Sequence, residues 1–352
     1  MQRLTSRCDF QLQSGEPERH NKRADNFMTP LDIFLNRYDR LRSGWRFAIF
    51  CALYYSAATA IVTTVYALVM RAQPAPGDKP GGALPGWLNY LLTFLIMFVP
   101  ALLLGWGCGR VLEDLPLRAL GWAKHRGWLR DLLLGSLVGA AALALGALVG
   151  AVCGGFRFSL TTEFMSRAFV KTFFGAVGVY VLLAAGEEAL FRGYPLQTML
   201  RSLPFAVAVL PSSILFAAGH FYNPNVPHNN LLAILFVNTA LAGIWLAVGY
   251  WRTRSLWLPL GLHWAWNWTM GSLLGLPVSG ITSLTRAPLL RATDRGPVWL
   301  TGGAYGLEGG LACTLALLVA ILFLSRTRLF TPAPELKEYT DGERAKTVTS
   351  DK

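Results

Sequence analysis

VLLAAGEEALFRGYPLQTML, residues Val181 to Leu200, holds two adjacent carboxylates, Glu187 and Glu188, and a guanidinium, Arg192. It continues an apolar run, Ala176 to Ala185, that carries no charge. Charges inside membrane-grade sequence are costly unless paired, and by default they mark function. On an exposed helix face the same residues would mean little. What the stretch signifies therefore depends on whether the chain around it crosses a membrane.

Composition says that it does. Of 352 residues, 53% are hydrophobic and 15% charged, against about 25% charged in a typical globular domain. Twelve Trp, a mean hydropathy of +0.40 and repeated uncharged runs of near-spanning length indicate an all-α, polytopic integral membrane protein. The formal net charge of +12 would suggest nucleic acid as the partner of a soluble protein. Here it is assigned to basic loops facing the cytoplasm and anionic lipid, and no nucleic-acid partner is expected. Of the cysteines, Cys8, Cys51, Cys108, Cys153 and Cys313, four fall in or beside apolar runs, without CxxC or Cys/His spacing. They read as small core residues, with neither a disulfide framework nor a zinc knuckle. The polar first 45 residues do not read as a cleavable signal peptide, and the terminal TVTSDK carries no prenylation box.

About eight spans are expected: 47–70, 87–108, 132–153, 169–200, 205–221, 231–251, 256–274 and 301–324. They divide the chain into a polar cytoplasmic tail (1–45), three spans with a basic loop (46–168), a core (169–275), a loop and last span (276–325), and a polar C-terminal tail (326–352). Pro30 to Tyr38 suits a short interfacial helix. Gly135, Gly139, Gly146 and Gly150 suit close helix packing, and Pro195 a kink in the fourth span. Lys and Arg are roughly threefold more abundant in the tails and even-numbered loops than in the other loops, which places both termini in the cytoplasm.

Three polar groups fall at comparable depth. At about 1.5 Å per residue, Glu187 lies about 20 Å, His220 about 22 Å and His263 about 14 Å from the cytoplasmic helix ends, with Asn267 about 6 Å deeper than His263. Glu188 and Arg192 are i, i+4 neighbours and can pair on one helix. Glu187, rotated by about 100° from Glu188, is free to point elsewhere. His263 and Asn267, also i, i+4, can face one substrate atom. Such a set could activate water for attack on a carbonyl. The carboxylate would act as general base, a histidine would orient the water or carry the proton to the leaving amine, and an imidazole with an amide would donate to the oxyanion. Taken singly, each piece has a plainer explanation: an interhelical hydrogen bond for a histidine, a surface salt bridge for EExxxR, an interfacial anchor for His263 and Asn267 among Trp264, Trp266 and Trp268. Their agreement in depth and chemistry favours the site.

EExxxR at Glu187 to Arg192, FxxxH at Phe216 to His220 and HxxxN at His263 to Asn267 resemble, in kind and order, the motifs of the CPBP family of intramembrane proteases. That family includes the type II CAAX prenyl endopeptidases. The resemblance implies Glu187 as catalytic glutamate, His220 as its partner in activating water, and His263 with Asn267 as the oxyanion pair, supported by Glu188 and Arg192. It implies a protein or peptide substrate, with lipid modification an open matter, and a multi-pass location in the cell membrane. The family is commonly labelled a metalloprotease, and Glu187, His220 and His263 could compose a three-ligand zinc site. There is no HExxH, however, and a metal-free mechanism accounts better for Asn267. Two other classes stay open: a non-catalytic membrane protein of binding, immunity or scaffold type, and a proton-coupled transporter. Thr301 to Gly310, TGGAYGLEGG, reads as a packed helix start, with a binding role for Glu308 the lesser alternative. His228 reads as a loop residue.

Overall fold

The computed structural model describes residues 31–36, 40–71, 86–162 and 164–341. The N-terminal tail to residue 30, the Pro/Gly-rich loop at 72–85 and residues 342–352 lie outside the described residues. After a short helix α1 (Leu31–Phe34) come α2 (Ser43–Arg71), α3 (Gly86–Glu113) and α4 (Trp128–Val152). Strand β1 (Phe156–Leu160) precedes α5 (Arg167–Phe191), α6 (Tyr194–Ser202), α7 (Phe205–Gly219), α8 (Leu231–Thr253) and α9 (Trp257–Trp268). Strand β2 (Leu290–Asp294), α10 (Val298–Thr301), α11 (Leu311–Arg326) and α12 (Pro334–Thr340) complete the described chain. Among the described residues six segments are long and apolar enough to cross a membrane: α2, α3, α4, α5 continued into α6, α7 with the turn after it, and α8. The shorter apolar helix α11 stands where the eighth span is expected, and the twelve-residue α9 where the seventh is. The protein is an all-α polytopic membrane protein.

The fourth span differs from expectation. It is broken rather than kinked at Pro195: α5 ends at Phe191, and α6 begins at Tyr194 with Pro195 in its first turn. Proline suits a first turn because its missing N–H would find no partner there anyway. Gly193 permits the break, since a Cβ at that position would strike the Ala189 carbonyl oxygen. The last span also starts later, at Leu311, because the glycines before it form two 3₁₀ turns, Gly303–Tyr305 and Leu307–Gly309. The loop at 276–300 contains β2, which pairs antiparallel with β1, Phe156 opposite Asp294 and Leu160 opposite Leu290. The segment after α11 is folded as far as Asp341. Phe330 and Leu336 are buried, and Arg252 donates to the carbonyls of Ser325 and Phe330.

Helices α4 and α9 make the closest approach. A Cβ on Gly135 would lie 2.6 Å from the Leu258 carbonyl oxygen, and one on Gly139 would overlap that of Leu262. With no water to expel between helices in lipid, such backbone proximity is how helices gain contact. It fixes α9, and with it His263, against a rigid neighbour. The four described cysteines, Cys51, Cys108, Cys153 and Cys313, are free thiols.

A second clamp holds α2, α3 and α6 at the end where α3 finishes. Glu113 accepts from Arg46 Nη1 at 2.8 Å and from Arg201 Nε and Nη2, each at 2.8 Å. All three side chains are buried. Removing one member of a buried ionic cluster leaves charge without its counter-charge, at a cost of about 3–5 kcal/mol. Glu113→Ala is therefore expected to lower the unfolding temperature in detergent markedly. Unaltered unfolding would mean that the cluster does not hold the three helices together.

Candidate active site

The site is built on the last turn of α5. Glu188 has no exposed surface, and its Oε1 accepts from two directions. Arg192 Nη1 donates at 3.2 Å from one turn along, and His263 Nδ1 at 2.7 Å from α9. The i, i+4 pair is thus present, and Glu188 is also the anchor of His263. Arg192 reaches further, donating from Nη2 to the Gly243 carbonyl of α8 at 3.4 Å. Its guanidinium lies 4.2 Å from the centre of the Phe216 ring of α7, a cation–π contact that helps hold the charge away from water.

Glu187 has a different environment. Its side chain keeps 25% exposure and lines a cavity of about 950 Å³, near the upper end of the usual range for ligand pockets. Oε2 is buried without a hydrogen-bond partner, 3.6 Å from His263 Nε2. Because Nδ1 of His263 is committed to Glu188, Nε2 is the nitrogen presented to Glu187.

His220 lies just past the end of α7, in the 3₁₀ turn His220–Tyr222. Its Nδ1–H donates to the Phe216 carbonyl at 2.7 Å, which leaves Nε2 as the ring atom available for proton exchange. Phe216 therefore does more than space the motif. Its carbonyl orients His220, and its ring packs 4.6 Å from the His220 ring and 6.1 Å from that of His263. Asn267, one turn beyond His263, lines the same cavity. The four residues expected to carry chemistry thus share one cavity, with Glu188 and Arg192 behind its wall.

Among the described residues no group of three or more His, Cys, Asp and Glu side chains is arranged to hold a metal ion. In the trio of Glu187, His220 and His263, Nδ1 of each histidine is engaged, one by Phe216 and the other by Glu188, which leaves Nε2 of each as the nitrogen that a metal would take.

Glu308, for which the sequence favours a packing role, also lines the cavity, with Asn238, Ser279 and Trp245. These three carried no motif. An acid in a glycine-rich stretch directly before an apolar helix was the one signal available for Glu308.

The two glutamates should separate in a stability measurement. Glu188→Ala leaves Arg192 buried without its carboxylate, at an expected cost of about 3–5 kcal/mol. Glu187→Gln, at a partly exposed position with no Arg or Lys partner among the described residues, is expected to change stability by about 0.5 kcal/mol or less. Thermal unfolding of the two variants side by side checks this, and equal destabilisation would contradict the division.

No curated protein matches the chain. Residues 169–269, a stretch that contains all three motifs, match the family described as Rce1-like, Type II CAAX prenyl endopeptidase Rce1-like, and that match implies a peptidase of the CAAX intramembrane kind.

Proposed function

We propose that this protein is an intramembrane endopeptidase in which Glu187 activates water for attack on a peptide carbonyl, without a metal. The observation that carries the reading is the unequal treatment of the two glutamates. Glu188 is fully enclosed and paired through Oε1 with Arg192 and His263, whereas Glu187 keeps 25% exposure and stands in the cavity wall, with no hydrogen bond to its Oε2 among the described residues.

In this mechanism a water held by Glu187 gives up a proton to the carboxylate as its oxygen bonds to the carbonyl carbon. His220, its Nδ1–H fixed on Phe216, exchanges protons through Nε2 and delivers one to the leaving amine. Asn267 supplies an amide N–H to the developing oxyanion. His263 can add a second donor from Nε2 only in the doubly protonated ring, with Glu188 as its counter-charge. The cavity wall supplies the apolar surroundings in which such dipoles act strongly. The substrate is a protein or peptide that enters from the bilayer, and the setting is the cytoplasmic membrane with both termini inside.

Glu187→Gln is expected to abolish cleavage while the protein stays folded and inserted. Comparative proteomics of membranes with wild type or Glu187→Gln should show peptide fragments that vanish in the variant. An unchanged fragment set would rule out the endopeptidase. Among the remaining groups, His220→Ala should cost about 10²–10⁴ in rate as a lost acid–base catalyst. Asn267→Ala should cost about 10²–10³ as a lost oxyanion donor. Both are read as kcat/KM on an identified peptide, and wild-type rates would remove those roles.

A further inference from the structure

The cavity beside Glu187 contains a second carboxylate, Glu308, and among the described residues no Lys or Arg lines it. In a chain of net charge +12 this is a local reversal of sign. Glu308 comes from the turn just before α11, more than a hundred residues after Glu187, and its position is strongly fixed. Oε1 accepts from Trp266 Nε1 at 3.1 Å, and Oε2 from the backbone N–H and the Oγ–H of Ser279, each at 2.8 Å. Asn238 of α8 holds the turn itself, donating to the carbonyls of Glu308 at 2.8 Å and Gly310 at 2.9 Å.

All three donors to Glu308 are neutral. The two buried glutamates among the described residues have cationic partners: Glu113 has Arg46 and Arg201, and Glu188 has Arg192. Among the described residues Glu308 has none. A carboxylate accepts from Trp266 and Ser279 through both oxygens, but these neutral donors leave its charge without a counter-charge in a membrane interior. The charge is explained if its partner arrives with the ligand. A second feature also points to an occupant. Trp245 is 2% exposed, lines the same cavity, and its Nε1–H has no acceptor. Buried donors are ordinarily satisfied, and a peptide carbonyl is the matching group. The Trp245 and Trp266 rings, 5.5 Å apart, add aromatic surface of the kind that attracts cations.

We infer that Glu308 forms a subsite for a basic side chain, Lys or Arg, of the peptide presented to Glu187. The inference deepens the endopeptidase reading and rests on it. Glu308 selects substrate by charge, Trp245 receives a carbonyl of the same peptide, and Glu187 acts on the bond nearby.

The test uses the full chain carrying Glu187→Gln, in lipid nanodiscs, so that peptides bind without being cut. Apolar peptides containing a single lysine, scanned along the sequence, are compared with the same peptides carrying neutral acetyl-lysine. At one position the lysine form should bind about tenfold tighter, as expected for a charge pair away from bulk water. Adding Glu308→Gln should reduce the ratio to less than about twofold. If that chain aggregates, Glu308→Asp, which keeps the charge but withdraws it by one methylene, should reduce the ratio at least about threefold. Equal binding of the two forms at every position overturns the inference, as does a ratio that survives the substitution. Cleavage by the wild-type chain, followed in parallel, separates the two claims. Lysine-selective binding without cleavage upholds the subsite and removes the peptidase. Cleavage indifferent to the lysine charge upholds the peptidase and removes the subsite.

Discussion

A carboxylate with no exposed surface, Glu188, is the point on which the middle of this fold depends. A charge there is tolerable only if it is paired and hydrogen-bonded, and the pairing recruits most of the neighbouring helices. Arg192 comes from the end of α5 itself, His263 from α9, and the guanidinium is seated on the Phe216 ring of α7 and the Gly243 carbonyl of α8. Four helices thus converge on one charge. The same convergence aims His263 and, through Phe216, His220 into the cavity. The polar residues support the fold and define the site together.

That arrangement makes the position of Glu187 informative. It is one residue from Glu188 and shares its helix, yet it meets the cavity instead of the ionic cluster. The neutral scaffolding around it is stiff. α9 lies against α4 with glycine at the contact, and the loop at 276–300 is pinned by its strand pairing with β1. At the opposite end the Glu113 cluster holds α2, α3 and α6. The candidate site is thus clamped at both ends.

Much of this was legible in the sequence because it is local. The Glu188–Arg192 pair follows from i, i+4 spacing, and the common depth of Glu187, His220, His263 and Asn267 follows from helix rise. The break at Gly193 was written in Gly193-Tyr194-Pro195, a glycine followed by a proline inside a new first turn, although a kink at Pro195 competes with it in an apolar run. Long-range partnerships left no trace. Glu113 finds Arg46 and Arg201 across 67 and 88 residues, and no periodicity reports such a meeting. The β1–β2 pairing joins two five-residue segments more than a hundred residues apart, FRFSL and LRATD. Glu308 was visible only as an acid among glycines, since the cavity that gives it meaning is assembled from helices distant in the chain.

The central claim is that Glu187 acts through water and does not itself attack the substrate. The most direct measurement is a single turnover in water enriched in heavy oxygen, with the protein in excess over a peptide that it cleaves. The account predicts one solvent oxygen in the newly formed C-terminal carboxylate and an unlabelled Glu187 side chain. Label on Glu187 with an unlabelled product, the outcome of direct attack by the carboxylate followed by hydrolysis of the anhydride at the glutamyl carbon, would contradict it.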